Sequence, residues 1–187
     1  MDAGQHAEQP GKSPLRSLFE FIVMVALIFV MAWAMRTFLF EAYEIPSGSM
    51  ETTIMTGDMV LAEKVTYYSR EPQAGDIVTF TDPLNDERVL IKRCIAVGGQ
   101  TVNVQDGVLY IDGVAQSESY TRNLPSYQLS SQVVSYPYEV PEGYIWVMGD
   151  NRTNSQDSRY FGAIPLSSVK SKAVAIYWPL DHIGKLE

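Results

Sequence analysis

The sequence predicts a mainly β domain with an antiparallel sheet, carried behind a single N-terminal membrane helix. Three observations carry that prediction. The apolar run Phe21–Met35, FIVMVALIFVMAWAM, has no counterpart elsewhere in the chain. After residue 40 the pattern turns to short segments rich in β-branched and aromatic residues, bounded by Gly-Asp pairs at 57–58 and 75–76. Asp-Gly pairs at 106–107 and 112–113 supply the positive φ angles that tight hairpin turns need. At 187 residues the chain has room for one domain of ordinary size besides the helix. Residues 41–187 are enough to bury a core.

Residues 1–16 are polar and contain Pro10 and Pro14, so they are expected to form a disordered tail. The uninterrupted apolar run is slightly short of the roughly 18–20 residues that span a bilayer. Extended over residues 17–40 it reaches full length, with Glu20 and Arg36 near the ends, where a long arginine can reach the interface. Ala32-Trp33-Ala34 offers a competing reading, an A-x-A site after a basic start and an apolar core, as in a cleavable secretion signal. Apolar character resumes at Phe38-Leu39-Phe40, which favours a retained anchor. Lys12 and Arg16 precede the helix, whereas Glu41 and Glu44 follow Arg36. The positive-inside tendency then puts the N-terminus in the cytoplasm and residues 41–187 outside. Nothing in the tail is Arg-rich or amphipathic, so it does not read as an organelle transit peptide.

Beyond the helix, Met59–Val65 and Ile77–Phe80 read as short strands, and Arg88–Val97 as a longer one ended by Gly98-Gly99. Thr101–Ile111 reads as a hairpin. From about Gln116 to Pro141 the chain is rich in Ser, Tyr and Gln and lacks periodicity, as expected of a surface insertion. This would make residues 100–142 a small inserted subdomain. Strand character returns at Tyr144–Met148 and Ala173–Trp178.

Net charge is −8 and the pI is about 4.8, which argues against a nucleic-acid partner. Cys94 is the only cysteine, which excludes an intramolecular disulfide and a cysteine-based metal site. The two histidines, His6 and His182, stand near the chain ends, so no metal site is expected.

Ser47-Gly48-Ser49-Met50 follows closely on the membrane run. At about 3.3–3.6 Å per residue, Ser49 can lie no more than roughly 45–50 Å from Met35. A serine nucleophile needs a proton acceptor. His6 precedes the helix and His182 is near the end of the chain, which leaves lysine. An ordinary lysine of pKa 10.4 is neutral in only about one molecule in 2,500 at pH 7. A lysine base must therefore be desolvated, at a cost of roughly 4–5 kcal/mol. Lys92 lies inside the apolar strand Val89–Ile95, on one face between Leu90 and Cys94, while Arg93 points the other way. The bland alternative is a strand-edge lysine reaching solvent, and spacing alone does not separate the two. Gly149–Arg159 is a long polar stretch directly after a strand. Counted from Asp150, Arg152 occupies the third position, where calcium needs an oxygen ligand, so a calcium loop is rejected. Asp157 and Arg159 could form a fixed ion pair, and Ser155 could hold a neutral lysine amine.

Together these segments resemble the type I signal peptidases, membrane-anchored Ser/Lys proteases that remove signal peptides from exported proteins. Ile45–Met50 resembles the nucleophile motif, with Ser49 as nucleophile. Arg88–Arg93 resembles the strand that carries the general base, here Lys92. Gly149–Arg159 followed by Tyr160-Phe161-Gly162 is similar to a third motif almost letter for letter, and Gly75–Val78 matches a fourth block. The resemblance implies a mainly β catalytic domain of signal-peptidase type. It also implies an oxyanion hole from the Ser47 hydroxyl and the Ser49 N–H, a Ser155 that orients Lys92, and an Asp157–Arg159 brace. Ile45, Pro46 and Ile91 would line shallow pockets that favour small residues, so that cleavage follows Ala-x-Ala. No cofactor is implied. The implied partners are signal-peptide-bearing preproteins and the lipid bilayer of a bacterial plasma membrane, with the chain acting as a monomer. Two departures stand out. Glu51-Thr52-Thr53-Ile54 lacks the family's proline in Pro-Thr-Leu, and Gly98-Gly99-Gln100 replaces its Pro-Gly-Asp. Self-cleaving Ser/Lys repressors share part of this pattern, but the membrane run and the lack of a DNA-binding segment count against that reading. A non-enzymatic anchored domain would be expected to have lost Ser49 or Lys92.

Overall fold

A computed structural model describes residues 14–186 of the protein. They comprise two compact units that divide between Thr37 and Phe38. The first is a helix, α1, Pro14–Phe38. It begins three residues before the predicted start at residue 17. Proline is tolerated in the first helical turn, where its missing N–H has no partner to lose. Residues 14–16 of the expected tail open the helix, and residues 1–13 lie outside the described residues. The helix is apolar on every side, and it is long and apolar enough to cross a membrane. Ala32-Trp33-Ala34 lies within it without a break.

The second unit is built on antiparallel sheets, as the alternating sequence requires. The helix stops at Phe38 rather than 40, and Phe40 opens strand β1 (Phe40–Glu44), which the apolar pattern had hidden inside the membrane run. β1 pairs with β2 (Met59–Glu63), and a short helix α2 (Thr66–Ser69) follows. Next come β3 (Ile77–Asp82) and the long β4 (Asn85–Val97). A second group, β5 (Thr101–Gln105), β6 (Val108–Ile111), β7 (Val114–Ala115) and β8 (Tyr138–Glu139), forms its own four-stranded sheet in the order β7-β6-β5-β8. Asp106 and Gly107 turn this hairpin with φ of 51° and 82°. The chain then enters β9 (Tyr144–Met148), the single-turn helix α3 (Ser158–Phe161), β10 (Ile164–Pro165), β11 (Val169–Trp178) and β12 (Gly184–Lys185). The main sheet runs β1-β2-β11-β3-β4-β9-β10, with β12 alongside β11.

The segment read as a surface insertion is irregular, as expected, but it is not all surface. Thr121, Ser126 and Val140 are buried, and Tyr136 and Tyr138 pack against Trp146 with ring centroids 6.1 and 4.8 Å apart. Its lack of periodicity reflects burial through single side chains rather than along one face of a regular element.

Candidate active site

β4 positions the candidate base. Its Lys92 stands opposite Val78 of β3, and the next residue, Arg93, is paired on both sides, with Ile77 of β3 and Met148 of β9. β9 ends at Met148, so the polar loop Gly149–Asp157 begins beside the lysine. The 3₁₀ turn Gly48–Met50 carries the candidate nucleophile, Ser49. Lys92 Nζ lies 2.7 Å from Ser49 Oγ and 2.9 Å from the Ile91 carbonyl oxygen. Lys92 is 3% exposed and Ser49 8%, which rejects the bland reading of a lysine reaching solvent.

Burial pushes the Lys92 amine down from an ordinary 10.5 to about 8, because the charged form loses its hydration. The Asp157 carboxylate opposes that drop, the Arg88 guanidinium assists it, and Asp82 and Asp150 oppose it again. At pH 7 about one molecule in ten then carries a neutral amine, instead of one in thousands. The charged nitrogen donates to Ser49 Oγ, and the neutral one can accept the serine proton along the same line.

Ser47 is in extended backbone, and its hydroxyl does not cap the turn. It lies 3.5 Å from Ser49 Oγ. The Gly149 loop clamps the turn from behind. Asn151 donates its backbone N–H to the Ser49 carbonyl oxygen (3.1 Å) and its side-chain amide to the Gly48 carbonyl oxygen (2.9 Å). Gly149 makes this approach possible, since a Cβ there would collide with the Ser49 carbonyl oxygen and the Ser155 hydroxyl.

Asp157 and Arg159, both fully buried, pair through two contacts of 2.9 Å. Asp157 also accepts the N–H groups of Gly149 (3.0 Å) and Arg159 (3.2 Å), so it fixes both ends of the loop. Ser155 is near, but it does not do what the resemblance implies. Its buried hydroxyl flanks Gly149 and makes no hydrogen bond to Lys92 or to any other group. Ile45 also departs from a pocket-wall role, because it is 3% exposed and packs into the core with Met50, Ile54 and Val60. Pro46 is exposed, and Ile91 is half-buried against that same cluster. A surface cavity of about 530 Å³, lined by residues that include Leu84, Val133 and Tyr160, involves neither Ser49 nor Lys92.

Sequence reading left several residues here without a role. Arg93 and Asp150 form a buried pair with contacts of 2.9 and 2.8 Å, and Thr53 donates to the same carboxylate at 2.5 Å. Arg93 also holds the Gly75 carbonyl oxygen at 3.0 Å, which ties the Gly75–Val78 block to the site. The signal was present in the Lys-Arg and Gly-Asp-Asn-Arg strings. What was missing was any indication that their charges face one another.

Residues 18–178 match the family described as signal peptidase, peptidase S26. A probable signal peptidase I-1 from Synechocystis sp. is 36% identical, over 95% of this chain and 91% of its own length. A signal peptidase I from Leptolyngbya laminosa is 37% identical, over 96% of this chain and 88% of its own. A crystal structure of a signal peptidase I from Enterococcus faecalis V583 is 38% identical, over 55% of this chain and 97% of that one, with a TM-score of 0.46. The family match runs from α1 to the end of β11, and it shows that the chain belongs to the signal peptidases and is a hydrolase of the serine endopeptidase class.

Proposed function

We propose that this enzyme cleaves signal peptides from exported preproteins, with Ser49 as nucleophile and Lys92 as general base. The observation that carries the proposal is the 2.7 Å contact between Lys92 Nζ and Ser49 Oγ in a site closed to solvent. Neutral Lys92 accepts the Ser49 proton as Oγ attacks the scissile carbonyl carbon, and negative charge develops on the carbonyl oxygen. The Ser47 hydroxyl and the Ser49 N–H stabilise that oxyanion. The Lys92 ammonium then gives its proton to the leaving amine, and an acyl-serine remains. Water, deprotonated by Lys92, hydrolyses the ester and restores Ser49. Asp157 with Arg159, and Asp150 with Arg93, hold the loop and the strand so that the reacting atoms keep their separation. Ser155 reaches its role as a lysine partner only if its hydroxyl turns toward Nζ when substrate binds.

Ser49 follows the helix end at Phe38 by 11 residues, so the chain limits their separation to about 40 Å. α1 as a single-pass anchor with a cytoplasmic N-terminus would keep the peptidase domain near the outer face of the bilayer, as a monomer. A signal peptide held by its own apolar core presents its cleavage site at such a depth. Pro46 and Ile91 would line shallow pockets that admit alanine at positions one and three before the cut and reject larger side chains. The test is to incubate the detergent-solubilised enzyme with a preprotein and sequence the new N-terminus, using a panel that differs only at those two positions. Equal cutting after Ala and after Leu or Phe would refute the specificity. Because Ala32-Trp33-Ala34 is helical, self-cleavage there needs the helix to unwind; a purified protein starting at Met35 would show that it does.

A further inference from the structure

Arg152 is fully buried in the loop that clamps the nucleophile turn, and a buried guanidinium must be paired to be tolerated. One partner is local: its Nε donates to the Gly149 carbonyl oxygen at 3.0 Å. The others come from the irregular segment that the sequence presented as a surface insertion. Glu118 receives both terminal nitrogens of Arg152 at 2.6 Å in a fork, and Ser126 Oγ accepts a further contact at 2.6 Å. Tyr120 Oη donates to the Glu118 carboxylate at 2.7 Å. The Tyr120 ring lies 4.1 Å from the Arg93 guanidinium carbon and 5.8 Å from that of Arg152, both within the range of cation–π attraction. Two residues of the insert thus hold the arginine that follows Lys92 and the arginine that follows Asn151.

We propose that Glu118 and Tyr120 are positioning residues for the Ser49–Lys92 pair, acting through Arg152 and Arg93 on the turn whose Asn151 holds the Gly48 and Ser49 carbonyls. The inference rests on the Ser49–Lys92 reading and extends it to the insert. Glu118 fixes Arg152, Arg152 fixes the Gly149 carbonyl, and Gly149 and Asn151 define where the serine hydroxyl sits relative to Nζ. Tyr120 fills the space between the guanidiniums and keeps Arg93 aligned with Asp150. Neither residue touches the reacting atoms. Their loss is therefore felt in turnover, because a small displacement of well-aligned groups can cost up to about 100-fold in rate.

The experiment uses the full-length enzyme with Ser49→Ala as its blank, and compares E118A, R152M and the double variant E118A/R152M at a temperature where each is folded by circular dichroism. Activity in the Ser49→Ala blank would sink the dyad reading by itself, independently of the insert. With the dyad standing, the expected result is a kcat about 10–100-fold lower in E118A with KM within about twofold, and a double variant no slower than R152M alone. Additive losses, or a loss confined to KM, would overturn the coupling through Arg152. Should E118A alone fail to fold with its stranded arginine, E118A/R152M and E118Q decide the matter, because neither leaves Arg152 facing an apolar gap. A double variant slower than R152M, or a wild-type kcat in both R152M and E118Q, would then sink the proposal. For Tyr120, Y120F keeps the ring and should hold kcat within about threefold, whereas Y120A should fall with E118A; equal rates in Y120F and Y120A would show that the ring positions nothing.

Discussion

In the four-stranded sheet, Val102, Val104, Leu109 and Ile111 share one apolar cluster with Trp146 and Met148. Around Ser49 the buried side chains include, beside the apolar Met50 and Ile54, the charged Lys92, Arg93, Asp150, Arg152, Asp157 and Arg159. Both regions exclude water, but they are held in different ways. In the apolar cluster each side chain contributes roughly in proportion to the area it buries, and one that shrinks costs the lost transfer energy plus a cavity. In the polar corner each charge is tolerated only because its partner is in place, so one substitution leaves the other ion uncompensated. The apolar region gives stability that many similar sequences could supply. The polar region gives position, which few could supply.

The largest expected loss is at the proposed Ser49–Lys92 pair. Ser49→Ala and Lys92→Ala should each lower kcat by about 10⁶-fold, the scale known for removal of a serine nucleophile or its base, while the circular dichroism spectrum stays unchanged. A Lys92→Ala enzyme with full activity would remove the dyad. Asp157→Ala comes next. It strands the buried Arg159 and should cost about 3–5 kcal/mol in urea unfolding as well as most of the turnover, since the Gly149 N–H loses its acceptor. Ser47→Ala should leave residual activity, down by about 10²–10³-fold if its hydroxyl serves the oxyanion. A wild-type rate would reduce Ser47 to a turn residue.

The pH dependence sharpens the same contrast. As the proposed general base Lys92 must be neutral to act, so kcat/KM should rise with pH through about 8 and level off above it. Stability moves with pH in the same direction. The folded pKa is about 8 and the ordinary value 10.5, so between them the unfolded chain binds the extra proton, and folding is favoured as pH rises across that window. Melting curves of wild type and Lys92→Met at pH 8–10.5 should diverge in slope by this one group; parallel curves would contradict it. The smallest expected effect on turnover tests the apolar half. Leu109 is 1% exposed, and Leu109→Ala should cost about 2–5 kcal/mol of stability, as much as Asp157→Ala, yet leave kcat of the folded enzyme at its wild-type value. A matching loss of turnover would show that the four-stranded sheet also positions the site.

Periodicity and turn chemistry made the strands at Met59, Ile77, Arg88 and Tyr144, the Asp106-Gly107 hairpin and the apolar helix legible in the sequence, because each is set by residues adjacent along the chain. The Ser49–Lys92 pair was legible by a different route: the lack of a suitable histidine and the apolar run around Lys92 made it a candidate, and only the resemblance to the type I signal peptidases assigned it, because spacing did not exclude a lysine reaching solvent. Strand β1 was not legible, because Phe40 and Ala42 continue the apolar character of the membrane run and only pairing with β2 makes them a strand. Nor could the sequence place Ser155, whose hydroxyl rotates freely in any pattern of letters, or Ile45, which the register turns into the core. Least legible was Glu118, an acidic residue in an aperiodic stretch. Its value comes wholly from lying 2.6 Å from an arginine 34 positions away. Local backbone preference and hydrophobic period are written into neighbouring residues, so the sequence by itself determined the element types and the chemistry available. Which buried charges face one another, and how far a lysine amine falls in pKa, depend on desolvation and Coulomb energies between distant segments, and those the tertiary structure alone decided.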